Sequence, residues 1–169
     1  MQIGGYDEVT GEPLVVEVDE SKYFHRKYHR GQWVFGSIER KLRKSFLIID
    51  RDCTEQTLRD LTIQWILPGS HIVSDGWRAY NNIANWSNGI YTHSVIVHQQ
   101  NFVDPLEPET HTQNVENMWM RAKRKIRRQF GTSDELFPSY LHEFMWRQSI
   151  SEAKSFQHLL LLIACVDNV

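Results

Sequence analysis

Leu14-Val15-Val16-Glu17-Val18 is the first stretch whose pattern declares an element, a short valine-rich run expected to be a buried strand ending at Asp19. Ser21–Gly31 is basic and aromatic and reads as a loop. Trp33–Ile38 and Ser45–Ile49 read as a second and third strand, and the short charged connections favour antiparallel pairing among the three. A helix capped by Asp52, with Glu55 three residues on, then carries Leu58, Leu61 and Trp65 at helical spacing until Pro68-Gly69 stops it. His71–Ser74 is a fourth strand, and the order strand, helix, strand implies a parallel crossover. Asp75-Gly76 turns the chain into a short helix over Trp77–Ile83. Tyr91–Val97 follows as a fifth strand with Tyr91, His93, Val95 and Val97 on one face.

Gln99–Thr112 is an irregular loop carrying Pro105 and Pro108. The next helix, about Val115 to Phe130, has Val115, Met118, Trp119, Ala122, Ile126 and Phe130 as its apolar stripe, and Gly131 ends it. Ser133 is expected to open a further helix with Leu136, Phe137, Tyr140, Leu141, Phe144 and Met145 facing inward. A last helix begins near Ser151. The pattern predicts a mixed α/β layer built on five strands, with residues 1–13 as a lead-in, 14–150 as the main domain and 151–169 as a C-terminal helix.

Composition changes this picture little; charge distribution changes it more. At 169 residues the chain suffices for one domain, and 41% hydrophobic residues exclude a disordered one. Net charge is −2, yet residues 116–130 hold six Lys/Arg against one acid and residues 22–44 hold eight against one. Local basic patches matter more for phosphate contact than the total. Cys53 and Cys165 form no zinc set and read as small buried hydrophobes. The N-terminus lacks the pattern of a secretion signal, and the apolar run Leu159–Cys165 is shorter than the ~20 residues that span a bilayer.

Three acids carry the candidate chemistry. Asp19 and Asp75 follow strands, and Glu116 opens the basic helix. At about 100° per residue, Glu116, Met120, Lys123 and Arg127 share one stripe beside the buried face. Sites in open α/β sheets form at the carboxyl ends of strands. Three converging carboxylates suit two divalent cations, Mg²⁺ or Mn²⁺, serving an in-line phosphoryl displacement, with Lys123 holding a phosphate. The bland alternative is equally simple: a turn aspartate, a first-turn glutamate favoured by the helix dipole, and a solvated basic face. Spacing alone does not choose between them. His93 and His98 are either metal ligands or, more simply, structural; His111 lies near Glu116, and Trp77, Trp119 and Trp146 are expected in the core.

Several motifs occur in order along the chain: Val16-Glu17-Val18-Asp19-Glu20-Ser21-Lys22, Arg26 to Gly31, Trp33-Val34-Phe35-Gly36, Leu67-Pro68-Gly69-Ser70 and Ser74-Asp75-Gly76-Trp77-Arg78-Ala79-Tyr80. His98 to Val103, His111-Thr112-Gln113-Asn114-Val115-Glu116-Asn117-Met118-Trp119, Lys123-Arg124 and Tyr140 to Arg147 complete the set. Together they resemble the catalytic domain of ISXO-like transposases, DDE-type insertion-sequence enzymes with eukaryotic relatives called Merlin elements. The resemblance implies a ribonuclease H-like fold. It makes Asp19, Asp75 and Glu116 both the catalytic residues and the metal ligands, and it makes Lys123 a DNA contact near the cut. Lys123, Arg124, Arg127 and Arg128, with Lys27 and Arg30, are the expected DNA-binding residues.

The implied activity is cleavage and transfer of double-stranded DNA by a homo-oligomer, away from membranes, in the nucleus of a eukaryote or the cytoplasm of a bacterium. Family members usually carry an N-terminal DNA-reading region, for which the 13-residue lead-in is too short. The alternative expectation is therefore a truncated or domesticated, catalytically inactive DNA-binding protein. A host nuclease acting on RNA–DNA hybrids is a third.

Overall fold

In the computed structural model, residues 2–23, 31–96, 111–128 and 133–150 are described. Within them the valine-rich run becomes the central strand of a five-stranded sheet, β2 (Val15–Tyr23), flanked by β3 (Gln32–Glu39) and β6 (His71–Asp75). β4 (Ser45–Asp50) and β7 (Thr92–Ile96) are the outer strands, giving the order β4-β3-β2-β6-β7. β2–β3 and β3–β4 pair antiparallel, while β2–β6 and β6–β7 are parallel. A small parallel pair, β1 (Ile3–Gly4) with β5 (Ile66–Leu67), lies apart from the main sheet and was not legible in the pattern.

The expected crossover is present, and it skips two strands. The chain leaves β4, runs through α1 (Glu55–Trp65), and inserts β6 beside β2. The strand pattern of two antiparallel steps and then a long parallel return leaves β2 with an antiparallel neighbour on one side and a parallel one on the other. Such a reversal in the sheet is where α/β proteins place their sites.

Both sheet faces are covered, so β2 and β3 bury apolar residues to either side. On one face Val16, Val18, Phe35 and Ile72 pack with Leu58 of α1 and with Tyr80, Ile83 and Trp86. On the other, Val34, Ile38 and Leu47 pack with α2 (Gln113–Arg128) and α3 (Phe137–Ser149) through Val115, Met118, Trp119, Ala122, Phe137, Leu141 and Phe144. No helix among the described residues is long and apolar enough to cross a membrane.

Four local expectations are corrected. The α1 cap is Thr54, whose side chain accepts from the Thr57 N–H, and not Asp52. Asp52 instead accepts from the Thr54 N–H and the Thr57 hydroxyl, so it braces the cap from outside. The short helix expected over Trp77–Ile83 is two 3-10 segments, Arg78–Tyr80 and Ile83–Asn88. Leu136 does not face inward; it is 53% exposed, and α3 begins one residue later with Pro138 in its first turn. The loop placed at Ser21 begins later, because β2 stays paired with β3 through Tyr23↔Gln32. Residues 97–110, 129–132 and 151–169 lie outside the described residues, and with them His98 and the expected C-terminal helix.

Candidate metal centre

Asp19 lies in mid-strand, not at the strand end expected. Its position is nonetheless an edge of a different kind. β2 pairs with β6 only over Val15↔His71, Val16↔Ile72 and Glu17↔Val73, then continues against β3 alone. Asp19 therefore sits just past the last β2–β6 pair, and Asp75 ends β6 beside it. The gap lets side chains converge there. One carboxylate oxygen each from Asp19, Glu20 and Asp75 lie within 4.8 Å of one another.

Each acid is held. Asp19 Oδ1 accepts from the Glu20 N–H at 2.8 Å, and Asp19 Oδ2 accepts from the Trp119 indole Nε1–H at 3.0 Å. Glu20 accepts from the Tyr80 hydroxyl at 2.6 Å. Asp75 Oδ1 accepts from the Trp77 N–H at 3.0 Å, closing the turn after β6. Burial pushes the Asp19 carboxyl up to about 8, and the neighbouring Glu20 and Asp75 charges add to the rise. Burial also raises Glu20; the Tyr80 hydroxyl counters this and Asp75 reinforces it. A cluster that resists its own ionisation is one whose charge a hard cation would neutralise. Three carboxylate oxygens at one spot fit a divalent ion with oxygen preference.

Glu20 was missed from the sequence. Strand alternation sends it to the face opposite Asp19, and nothing local marks the two as sharing a site. Carboxylate oxygens of both nonetheless reach one spot just past the last β2–β6 pair, where Asp75 ends β6. Glu116 has a different placement. It is exposed on α2, accepts from the Thr112 hydroxyl at 2.9 Å, and stands outside the three-acid group. It lies one helical turn before Trp119, on the same flank as Lys123.

Lys123 lies over Tyr23, within electrostatic reach of Asp19. Its Nζ lies 5.5 Å from the Tyr23 ring centroid. Burial lowers its pKa, attraction to Asp19 opposes that, and Arg127 adds to the lowering. Arg124, Arg127 and Arg128 line a groove of about 830 Å³ together with Arg43, Asn117, Met120 and Arg121. Lys27 and Arg30 lie outside the described residues. His93 donates to or accepts from the Ser74 hydroxyl at 2.9 Å, and burial beside His71 pushes it down to about 4. It is a structural histidine in this arrangement.

The sheet order and helix placement define the class of protein. The chain resembles the catalytic core domain of HTLV-2 integrase, solved in complex with magnesium as a dimeric form, at 12% identity and a TM-score of 0.52 over 79% of this chain and 83% of that one. It resembles the BIV integrase catalytic core domain equally, at 12% identity and a TM-score of 0.52 over 78% and 80%. At such identities the likeness is one of fold, and the fold is ribonuclease H-like. Sequence narrows the class. Residues 4–149 match the ISXO2-like transposase domain, and the chain belongs to that family. A transposase-like protein of Haemophilus influenzae is 28% identical over 112 residues, 66% of this chain and 86% of its own length.

Proposed function

We propose that this chain is the catalytic domain of a DNA transposase that cleaves and joins strands of double-stranded DNA with two divalent cations, Mg²⁺ or Mn²⁺. The observation that carries the reading is the Asp19–Glu20–Asp75 cluster at the opening between β2 and β6, within a transposase-family sequence. Asp19 and Asp75 would hold a cation with Glu20. Glu116, on the flank of α2 that faces Asp19 through Trp119, would complete the set. Bound there, the cations supply charge neutralisation at the transferring phosphoryl group and acidify the attacking hydroxyl.

The chain's own residues do the rest. Trp119 fixes the rotamer of Asp19 by its indole N–H and closes the centre on the α2 side. Tyr80 orients Glu20 from the other face. Lys123, held over Tyr23 near Asp19, is placed to take a phosphate oxygen beside the acids. Arg124, Arg127 and Arg128 carry the backbone of the duplex along the outer face of α2. A homo-oligomer acting on paired DNA ends accords with the dimeric form of the HTLV-2 core.

The test is direct. Purified protein is incubated with DNA bearing candidate terminal repeats, with Mg²⁺, with Mn²⁺, or with chelator. Metal-dependent nicking and joining by the wild type, absent in Asp75→Asn, is expected. Equal products from both proteins would sink the reading.

A further inference from the structure

Glu17 is fully buried, at 0% exposure, in the middle of β2, and every part of its carboxylate is occupied. Oε2 accepts from the Asn114 and Val115 backbone N–H groups, each at 2.9 Å. Oε1 accepts from Arg40 Nε at 2.7 Å and from Asn114 Nδ2 at 2.6 Å, and His111 Nδ1 lies 3.5 Å from it. A second Arg40 nitrogen donates to the His111 carbonyl. The first N–H groups of a helix have no partner inside it, and a carboxylate is the strongest acceptor for them. Here that acceptor comes not from the preceding residue but from a strand 97 residues away.

We infer that Glu17 is a positioning residue for the metal centre: it anchors the first turn of α2 to β2 and thereby sets Trp119 against Asp19. The inference rests on the metal-centre reading above. Its geometry is simple. Glu17 and Asp19 are two residues apart on one face of β2, about 6.6 Å along a strand. Val115 and Trp119 are four residues apart on α2, about 6 Å along a helix. The two spacings match, so a contact made at Glu17–Val115 is repeated in step at Asp19–Trp119. Glu116 lies between these two contacts, and its backbone N–H closes on Thr112 in the same turn that Glu17 grips. Arg40 holds the other side of Glu17 and the His111 carbonyl, so the segment entering α2 is clamped on two sides.

Glu17→Gln keeps the shape but presents an amide N–H₂ where Arg40 and Asn114 donate, or where the α2 backbone does. Arg40→Lys keeps the charge but loses the fork that reaches both Glu17 and His111. The experiment uses the full chain with ¹⁵N-labelled tryptophan and two readouts. The first is the Trp119 indole N–H resonance, assigned with Trp119→Phe. The second is Mn²⁺ affinity by calorimetry.

In Glu17→Gln the Trp119 resonance is expected to move or broaden while those of Trp65 and Trp86 stay in place. Mn²⁺ binding is expected to weaken roughly tenfold or more, the usual effect of losing a group that orients a ligand. Arg40→Lys should show the same changes to a smaller degree, and it decides the matter if Glu17→Gln does not fold. An unmoved Trp119 resonance with wild-type Mn²⁺ affinity in the folded variant overturns the inference. Wild type that binds no Mn²⁺ at all overturns the metal-centre reading instead, and the indole resonance then still decides whether Glu17 places α2.

Discussion

Gly36 is the strand neighbour of Asp19, and the absence of its side chain is what admits Trp119. The two residues are direct partners across β2 and β3. A Cβ on Gly36 would stand 2.4 Å from the Trp119 ring, against an indole that is 5% exposed and packed on all sides. The indole lies over β3 at this point and reaches across to Asp19. Gly36→Ala should therefore push the ring off its seat, destabilise the protein by about 1–3 kcal/mol, and break the Trp119–Asp19 hydrogen bond. Urea unfolding checks the first effect and the Trp119 indole resonance the second. A variant as stable as wild type with an unmoved resonance would contradict this account.

Asp19 makes the metal-free centre a source of instability. Its folded pKa stands at about 8, above the ordinary 3.8, so the folded protein binds the proton more tightly than the unfolded chain does. The resulting stability is present below the unfolded pKa and is lost as pH rises toward 8. In chelator, Asp19→Asn should flatten that slope and raise stability at pH 8 by about 1–3 kcal/mol. It should also remove the stabilisation that wild type gains on adding Mn²⁺. Urea titrations at pH 5 and pH 8, with and without metal, measure both.

His93 gives the opposite slope. Its folded pKa is pushed down to about 4 from 6.5 by burial and by His71. The unfolded chain takes up a proton first, so stability is intact above 6.5 and falls as pH drops toward 4. His93→Gln should remove about 1–2 kcal/mol of that acid sensitivity. The check is the difference in unfolding free energy between pH 7 and pH 4.5, which should be smaller in the variant.

The arginine groove should act through charge and not through sequence. Removing Arg124 and Arg128 together should weaken binding to unrelated duplexes by a similar factor and reduce the slope of log affinity against log salt by about 2. Fluorescence anisotropy across a salt series reads this. An unchanged slope would place the duplex elsewhere.

The succession of five strands along the chain, with α1 between the third and fourth and two helices after the fifth, was legible because each element rests on local periodicity; the sheet order β4-β3-β2-β6-β7 was not, because it depends on long-range pairing. Asp19 and Asp75 were legible as a pair because motifs marked them. Glu20 was not: alternation turns it to the Tyr80 face, and only the structure shows its carboxylate reaching Asp19 and Asp75. Glu17 was hidden for another reason. A single glutamate in a valine run reads as a solvent-facing residue, and its partners lie 97 positions away. Trp119 was expected in the core and is there, but nothing local says that its N–H meets Asp19. Gly36 likewise reads as an ordinary strand glycine until the indole beside it is seen.

The single strand β2 serves both layers by alternation, with Glu17 and Asp19 turned toward α2 and Glu20 toward Tyr80. Parity along nine residues therefore decides which layer each β2 acid meets. A substitution in β2 changes one side chain and leaves the faces of its neighbours as they were. An inserted or deleted residue between Val16 and Val18 would exchange the faces of everything beyond it, sending Asp19 under α1 and Val18 under α2. This strand can drift in composition, but its length is as constrained as the acids it carries.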